Sequence, residues 1–213
     1  MRKRRVYVFA AVAIFAAAAY VLGWSTLFTV SAVEFKGTDT ELRALVVPGE
    51  KLARIEPRTV IAQYKKLEWV KNVEVSRNWI NGKVTITVKK RVPIAIFKDR
   101  AIDDEGISFP IPDHGTSGLP VIQGPNLSSA LAASKFFTSL PIEISQIVDV
   151  VKIRRGDVYV LEIKWGEKSL EVLWGQSKDN ALKANVYKAL TLRAENSDIR
   201  RIDLTAPHAP IVK

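Results

Sequence analysis

Cysteine is absent from this 213-residue chain, and histidine occurs at only two positions, His114 and His208. Without cysteine the chain forms no disulfide and holds no cysteine-ligated zinc, and two separate histidines argue against a histidine-based metal site. The phosphate-binding G-x-x-x-x-G-K-[ST] and dinucleotide-binding G-x-G-x-x-G patterns are also missing. We therefore expect no metal, cofactor or nucleotide.

A catalytic constellation is missing as well. The segment His114-Gly115-Thr116-Ser117-Gly118 lacks the G-x-S-x-G elbow and lies in a proline-rich loop. The acidic run Asp103-Asp104-Glu105 before Gly106 is more typical of a solvated turn than of an acid–base pair or metal site. We expect a binding or scaffolding protein without a small-molecule substrate; the alternative, a membrane-anchored cell-wall hydrolase, would need catalytic groups that the pattern does not offer.

Positive charge exceeds negative charge, with 32 Lys and Arg against 22 Asp and Glu, a net charge of +10. Arg2, Lys3, Arg4 and Arg5 account for 4 of the basic residues, so the rest carries 28 − 22 = +6. These residues are scattered and form no aromatic–basic motif, which argues against a nucleic-acid partner.

An uncharged, proline-free run from Val6 to Leu22 follows the basic start, and its apolar character extends to Leu27. About 20 helical residues cross a hydrocarbon layer of ~30 Å, so we predict a transmembrane helix over residues 6–27, with Tyr20 and Trp24 at the far interface. The positive-inside rule places residues 1–5 in the cytoplasm and the rest outside, in a single-pass cell-membrane protein. A cleaved signal peptide is the alternative.

Residues 28–93 predict a compact unit with the order β-α-α-β-β. Its apolar spacing changes from helical to alternating near Trp69, and Asn81-Gly82 indicates a hairpin. The predicted elements are strand 28–36, helix 38–46, helix 57–67, and two strands around the hairpin from Val73 to Val88. Pro93 is expected to close the unit.

Residues 94–205 predict a second, antiparallel β-domain with flanking helices, which makes the chain α+β. The clearest alternation runs through Tyr159, Leu161 and Ile163 and through Leu170, Val172 and Trp174. The predicted elements are strands 94–97, 147–154, 158–165, 168–174 and 199–205, helices 126–140 and 178–195, a loop over 110–125, and a tail over 206–213.

Several motifs resemble the FtsQ/DivIB family of bacterial cell-division proteins over nearly the whole chain. They are LEWVKNVEVSRNWINGKVTITVKKRVPIAIF, IDDEGISF, LPVIQG and the closing RRIDL, in the family's order and spacing. This chain has Ile80 where the family often has proline after tryptophan, Lys90 where it often has glutamate, and Thr205-Ala206 where it often has Arg-Tyr. The ending IDLTAPHAPIVK is more similar to actinobacterial members.

The resemblance implies a membrane anchor, a polypeptide-transport-associated (POTRA) module and a C-terminal β-domain. It also implies a non-enzymatic scaffold of the division septum that links early division proteins to FtsB and FtsL and so to septal peptidoglycan synthesis. The partner FtsB would add a strand to the last strand of the β-domain. The positions that match it are Arg200, Arg201, Ile202, Asp203, Leu204 and Thr205.

A final strand at a sheet edge has unpaired backbone groups that accept a partner strand, which supports this site on physical grounds. An ordinary edge strand protected by its charges is the alternative. For the whole chain, the alternative is a POTRA-bearing translocation or barrel-assembly component, but that class normally has several such modules and a membrane barrel.

Overall fold

A computed structural model describes residues 2–23, 26–166 and 168–213. The chain divides into two compact units, Met1–Arg91 and Val92–Lys213. The predicted interfacial role of Trp24 and the predicted turn at Glu167 lie outside the described residues.

The N-terminal segment forms helix α1, Arg2–Gly23, and a short 3-10 turn, Thr26–Phe28, follows it. Between Val6 and Tyr20 the apolar side chains of α1 are exposed. Within the described residues, no helix combines the length and the apolar character needed to cross a membrane, so the structure does not show the predicted span over residues 6–27.

The remainder of unit 1 is a three-stranded sheet with a helix on one face. Strands β1, β2 and β3 are Ala32–Lys36, Val70–Arg77 and Lys83–Lys90, and helix α2 is Pro57–Tyr64. The strand order is β1-β3-β2, with β1 parallel and β2 antiparallel to β3. Alternation in β3 buries Val84, Ile86 and Val88 on the helix side.

The predicted first helix over 38–46 is wrong, because this segment is irregular and only a 3-10 turn, Leu52–Arg54, precedes α2. The reason is a contact distant in sequence. The phenol of Tyr64 donates to the carbonyl of Arg43 at 2.9 Å and accepts the N–H of Leu45 at 3.3 Å. A buried tyrosine thus satisfies backbone groups that a helix would otherwise pair.

Unit 2 contains a nine-stranded sheet with the order β12-β11-β10-β9-β8-β7-β4-β5-β6. Its strands are β4 Pro93–Phe97, β5 Arg100–Asp103, β6 Ser108–Pro110, β7 Val121–Gln123, β8 Val148–Arg154, β9 Val158–Trp165, β10 Lys168–Gly175, β11 Arg201–Asp203 and β12 Ile211–Val212. Its helices are α3 Leu127–Thr138, α4 Ile142–Ser145 and α5 Asn180–Thr191. The predicted α+β class is confirmed.

The sheet is mixed, which corrects the prediction of an antiparallel domain. The pairs β4–β7, β7–β8 and β10–β11 are parallel. Parallel neighbours need a long connection, and α3 with α4 connects β7 to β8 while α5 connects β10 to β11. These crossovers place β11 beside β10, where the candidate site lies.

Candidate partner-binding edge

The predicted partner-binding residues lie on or next to β11, near one end of the nine-stranded sheet. Ile202 and Leu204 are fully buried, whereas Arg200 and Thr205 are exposed. On one side β11 pairs in parallel with β10, through the bonds from Glu171 N–H to the Arg200 carbonyl and from Leu204 N–H to the Leu173 carbonyl.

The other side of β11 is covered by β12, which belongs to the predicted tail. The chain turns at Ala206, whose carbonyl accepts the N–H of Ala209 at 2.9 Å, and returns as Ile211–Val212. Lys213 extends the pairing, because its N–H donates to the Arg201 carbonyl at 2.9 Å and its carbonyl accepts the N–H of Arg201 at 3.0 Å. The last predicted strand is therefore an internal strand.

This arrangement corrects the prediction that β11 is the free edge, and moves that edge to β12. In an antiparallel pair, alternate residues direct their N–H and C=O groups to the partner strand. Arg201 and Lys213 bond each other, so Ile202 and Val212 form a non-hydrogen-bonded pair. The backbone groups of Val212 therefore point away from β11, and this is the backbone that the sheet end presents.

The two predicted arginines differ in their surroundings. Arg200 is exposed, whereas the Arg201 Nε atom lies 3.3 Å from Glu171 Oε1. Arg154 Nη2 approaches the same carboxylate oxygen at 3.8 Å, so Glu171 bridges β8 and β11 across the sheet. Arg200 is thus the more exposed of the two, and its charge acts on the nearby carboxylate of Asp198.

Asp203 and Thr205 act within the chain. The Asp203 carboxylate accepts two hydrogen bonds from Thr205, one from its N–H at 2.9 Å and one from its hydroxyl at 2.7 Å. This local bond pattern ends the strand and starts the turn to β12. Both side chains therefore serve the chain's own turn.

A buried lysine supports the sheet end from α5. Lys183 is 3% exposed, and its Nζ donates to the carbonyls of Trp174 at 2.8 Å and Gln176 at 2.9 Å. Between them, Gly175 has φ +79°, and a Cβ there would lie 3.1 Å from Thr205 Cγ2. Burial lowers the pKa of Lys183, and the nearby Asp179 acts in the opposite direction. Sequence patterns offered no signal for this contact.

A shallow groove of about 450 Å³ lies at the start of β10 and β11, lined by Lys168, Ser169, Asp198, Ile199 and Arg200. Lys168 Nζ is 2.9 Å from Asp198 Oδ1. This hydrogen bond, the largest contribution, holds the pKa of Asp198 below its usual value. The exposed ion pair places both signs of charge beside the sheet end.

The acidic run considered in the sequence has a structural role. Asp103 is buried, and its carboxylate accepts the N–H groups of Glu105 at 3.0 Å and Ile107 at 2.7 Å, which fixes the turn between β5 and β6. His114 lies in the irregular segment before β7. Among the described residues, no group of three or more His, Asp or Glu side chains is arranged to hold a metal ion.

Comparison with protein-family models matches both units. Residues 28–91 match the POTRA domain of FtsQ type, and residues 91–205 match the C-terminal domain of the cell division protein FtsQ/DivIB. The latter match ends at Thr205, before the turn to β12.

Two curated relatives are similar to this chain. The cell division protein FtsQ of Streptomyces griseus is 26% identical over 190 residues, which cover 82% of this chain and 88% of that protein. The cell division protein FtsQ of Salinibacter ruber is 28% identical over 113 residues, 47% of this chain and 44% of that protein. With its POTRA unit, its C-terminal β-domain and these relatives, the chain belongs to the FtsQ/DivIB family of cell division proteins.

Proposed function

We propose that this chain is a non-enzymatic divisome scaffold that links early division proteins to FtsB and FtsL at the septum, by adding a partner strand to the end of its large sheet. The division role follows from the family, whereas the partners come from the sequence resemblance. The observation that supports strand addition is the outward-facing backbone of Val212 on β12.

The proposed contact differs from the sequence prediction by one strand. An incoming segment meets β12 first, because β12 covers Arg201 and Ile202. Backbone hydrogen bonds to Val212 supply the pairing, and the exposed Arg200 is available to an acidic partner residue near the same sheet end. Half-exposed Ile211 adds an apolar contact.

A proline substitution tests the backbone contact. Val212→Pro removes one outward N–H group but no bond to β11, and proline is compatible with an edge strand. Val212→Thr is the matched control, since it keeps both the N–H and the branched shape. In a binding titration of the full chain with the FtsB/FtsL pair of the same organism, we expect Val212→Pro to weaken affinity at least tenfold and Val212→Thr to leave it nearly unchanged.

Equal binding of wild type and Val212→Pro would reject addition at β12. The same preparations, incubated with peptidoglycan, test the non-enzymatic part of the proposal. We expect no turnover, and measurable turnover would overturn it.

We also propose that α1 attaches the protein to the cell membrane, with its basic start on the cytoplasmic side. The support is the set of exposed apolar side chains on α1 and the four basic residues that begin it. Carbonate extraction of cell membranes tests this: we expect the full chain in the pellet. A chain released by carbonate would contradict membrane anchoring.

A further inference from the structure

The loop that joins β2 and β3, residues 78–82, presents apolar side chains to solvent. Ile80 is 99% exposed and Trp79 is 38% exposed. The Trp79 ring packs edge-on against Phe28 with 6.2 Å between ring centroids, and the preceding Leu27 is 74% exposed. Single exposed apolar residues are common, but here three of them occur on two segments that contact each other.

The backbone of this loop is partly paired within the protein, on the residues that flank Trp79 and Ile80. The side-chain oxygen of Asn78 accepts the N–H groups of Ile80 at 3.0 Å and Asn81 at 3.3 Å, and the Asn78 carbonyl accepts the N–H of Gly82 at 2.9 Å. Ser31 donates its hydroxyl to the Asn81 carbonyl at 2.7 Å and its N–H to the Gly82 carbonyl at 2.9 Å. This pairing fixes the shape of the loop and therefore the direction in which Trp79 and Ile80 project.

The loop is also packed against the segment that follows α1. Gly82 has φ +73°, and a Cβ there would lie 2.4 Å from the carbonyl oxygen of Thr29. Thr29 directly follows the 3-10 turn that succeeds α1. The exposed loop residues are thus held beside the segment that follows the apolar helix.

A cation accompanies the aromatic ring. The Arg77 guanidinium lies 5.3 Å from the Trp79 ring centroid and donates to the carbonyls of Leu52 at 3.1 Å and Ile55 at 2.8 Å. Tryptophan and arginine side by side suit the boundary between lipid headgroups and acyl chains, where the ring is half-solvated and the cation meets phosphate.

We propose that the 78–82 loop inserts Ile80 and Trp79 into the interfacial layer of the lipid bilayer and forms a second membrane contact beside α1. This inference rests on the proposed membrane attachment of α1. The occupant is a lipid surface because the loop packs against the segment that follows an apolar helix, exposes large apolar side chains and carries a cation at its base. Two contacts would restrict the rotation of the three-stranded sheet about the membrane normal.

The absence of native cysteine allows a direct test. The substitutions I80C, F15C and K89C are made singly in the full chain, labelled with an environment-sensitive fluorophore, and placed in nanodiscs of phosphatidylethanolamine and phosphatidylglycerol. F15C reports α1, and K89C reports the opposite end of β3 from the loop. We expect nitroxide lipids of shallow depth to quench I80C, lipids of greater depth to quench F15C, and neither to quench K89C.

The outcomes separate the two proposals. The loop inference fails and anchoring stands if lipids quench the F15C label but do not quench the I80C label. This holds whether the I80C label is in water, like K89C, or is shielded from water by protein. If F15C is not quenched, anchoring itself fails and the inference with it.

A second readout leaves the loop itself unlabelled and combines a label at K89C with a substitution at Ile80. We expect I80E to broaden the distribution of distances between the K89C label and the bilayer surface, and I80L to preserve that distribution. Identical distributions for I80E and I80L would overturn the inference.

Discussion

The N–H of Arg201 donates to the carbonyl of Lys213 at 3.0 Å, and the N–H of Lys213 donates back to the carbonyl of Arg201 at 2.9 Å. This reciprocal pair fixes the register of β12 on β11. It also determines which backbone groups are free at the sheet end: those of Val212 point outward, and those of Ile202 point to β10.

Amide hydrogen exchange tests this register. In the free chain we expect rapid exchange at Val212 and slow exchange at Ile202, because only the latter is directed into the sheet. Addition of the FtsB/FtsL pair is expected to protect Val212. If partner binding instead accelerates exchange at Lys213, whose N–H donates to the Arg201 carbonyl, the partner displaces β12, and addition to its edge is wrong.

The internal position of β11 predicts the effect of proline at Ile202. This side chain is fully buried, and proline removes both its packing and a hydrogen bond to β10. Loss of a buried isoleucine costs about 2–5 kcal/mol of unfolding free energy, so Ile202→Pro is expected to reach or exceed the upper part of that range. Urea unfolding measures this change in unfolding free energy. Val212→Pro is the control, and we expect it to change the unfolding free energy by less than about 1 kcal/mol.

Periodic segments were predictable from the sequence. Strand β9 runs from Val158 to Trp165 as expected, and the alternation of Leu170, Val172 and Trp174 matches their burial. The hairpin at Asn81-Gly82 is also correct, although its loop spans residues 78–82 rather than two residues. Burial on one face imposes a period of two, which a sequence records directly.

The prediction that β11 is the edge strand failed because the sheet end depends on a contact distant in sequence. Strand β12 has two residues between a proline and a lysine, too few to show any period. Its existence depends on pairing with β11 rather than on its own pattern. The predicted helix over 38–46 failed for a related reason, since Tyr64, about twenty residues later, pairs its backbone.

Tyr64 provides a test of that loop. Tyr64→Phe retains the ring, which packs edge-on against Phe35, but removes the hydroxyl shared by Arg43 and Leu45. Two partly buried backbone groups would then lose their partner, and we expect unfolding of unit 1 to require about 1–3 kcal/mol less. The exposed Tyr7→Phe is the control; equal stability of both variants would contradict a structural role for the hydroxyl.

Lys183 is expected to stabilise the end of β10 through its two carbonyl contacts. Lys183→Met keeps the aliphatic volume but leaves the carbonyls of Trp174 and Gln176 without their donor, so we expect a loss of about 1–3 kcal/mol at neutral pH.

The pH dependence of this contact has a definite sign. The pKa of Lys183 is lowered in the folded chain, so the unfolded chain binds more protons between that pKa and 10.5. Within this window and below pH 10, the stability of the wild type should therefore rise with pH, whereas that of Lys183→Met should not. Urea unfolding at several pH values measures this. If the free energies of unfolding of the two proteins change with pH in the same way, the assignment is refuted.

Tyr187, one turn further along α5, predicts the opposite sign at higher pH. Burial raises its pKa from 10.0 to about 12, so above pH 10 the unfolded chain loses the phenolic proton first. The stability due to the protonated phenol is complete below pH 10 and is lost as the pH rises to about 12, at up to ~1.4 kcal/mol per pH unit.

Tyr187→Phe removes the titrating group and should flatten this alkaline decline. Some decline should remain, because burial also raises the pKa of Tyr64 and Tyr159. Urea unfolding at several alkaline pH values decides the matter, and equal slopes for wild type and Tyr187→Phe would show that the Tyr187 phenol ionises as freely in the folded chain as in the unfolded one.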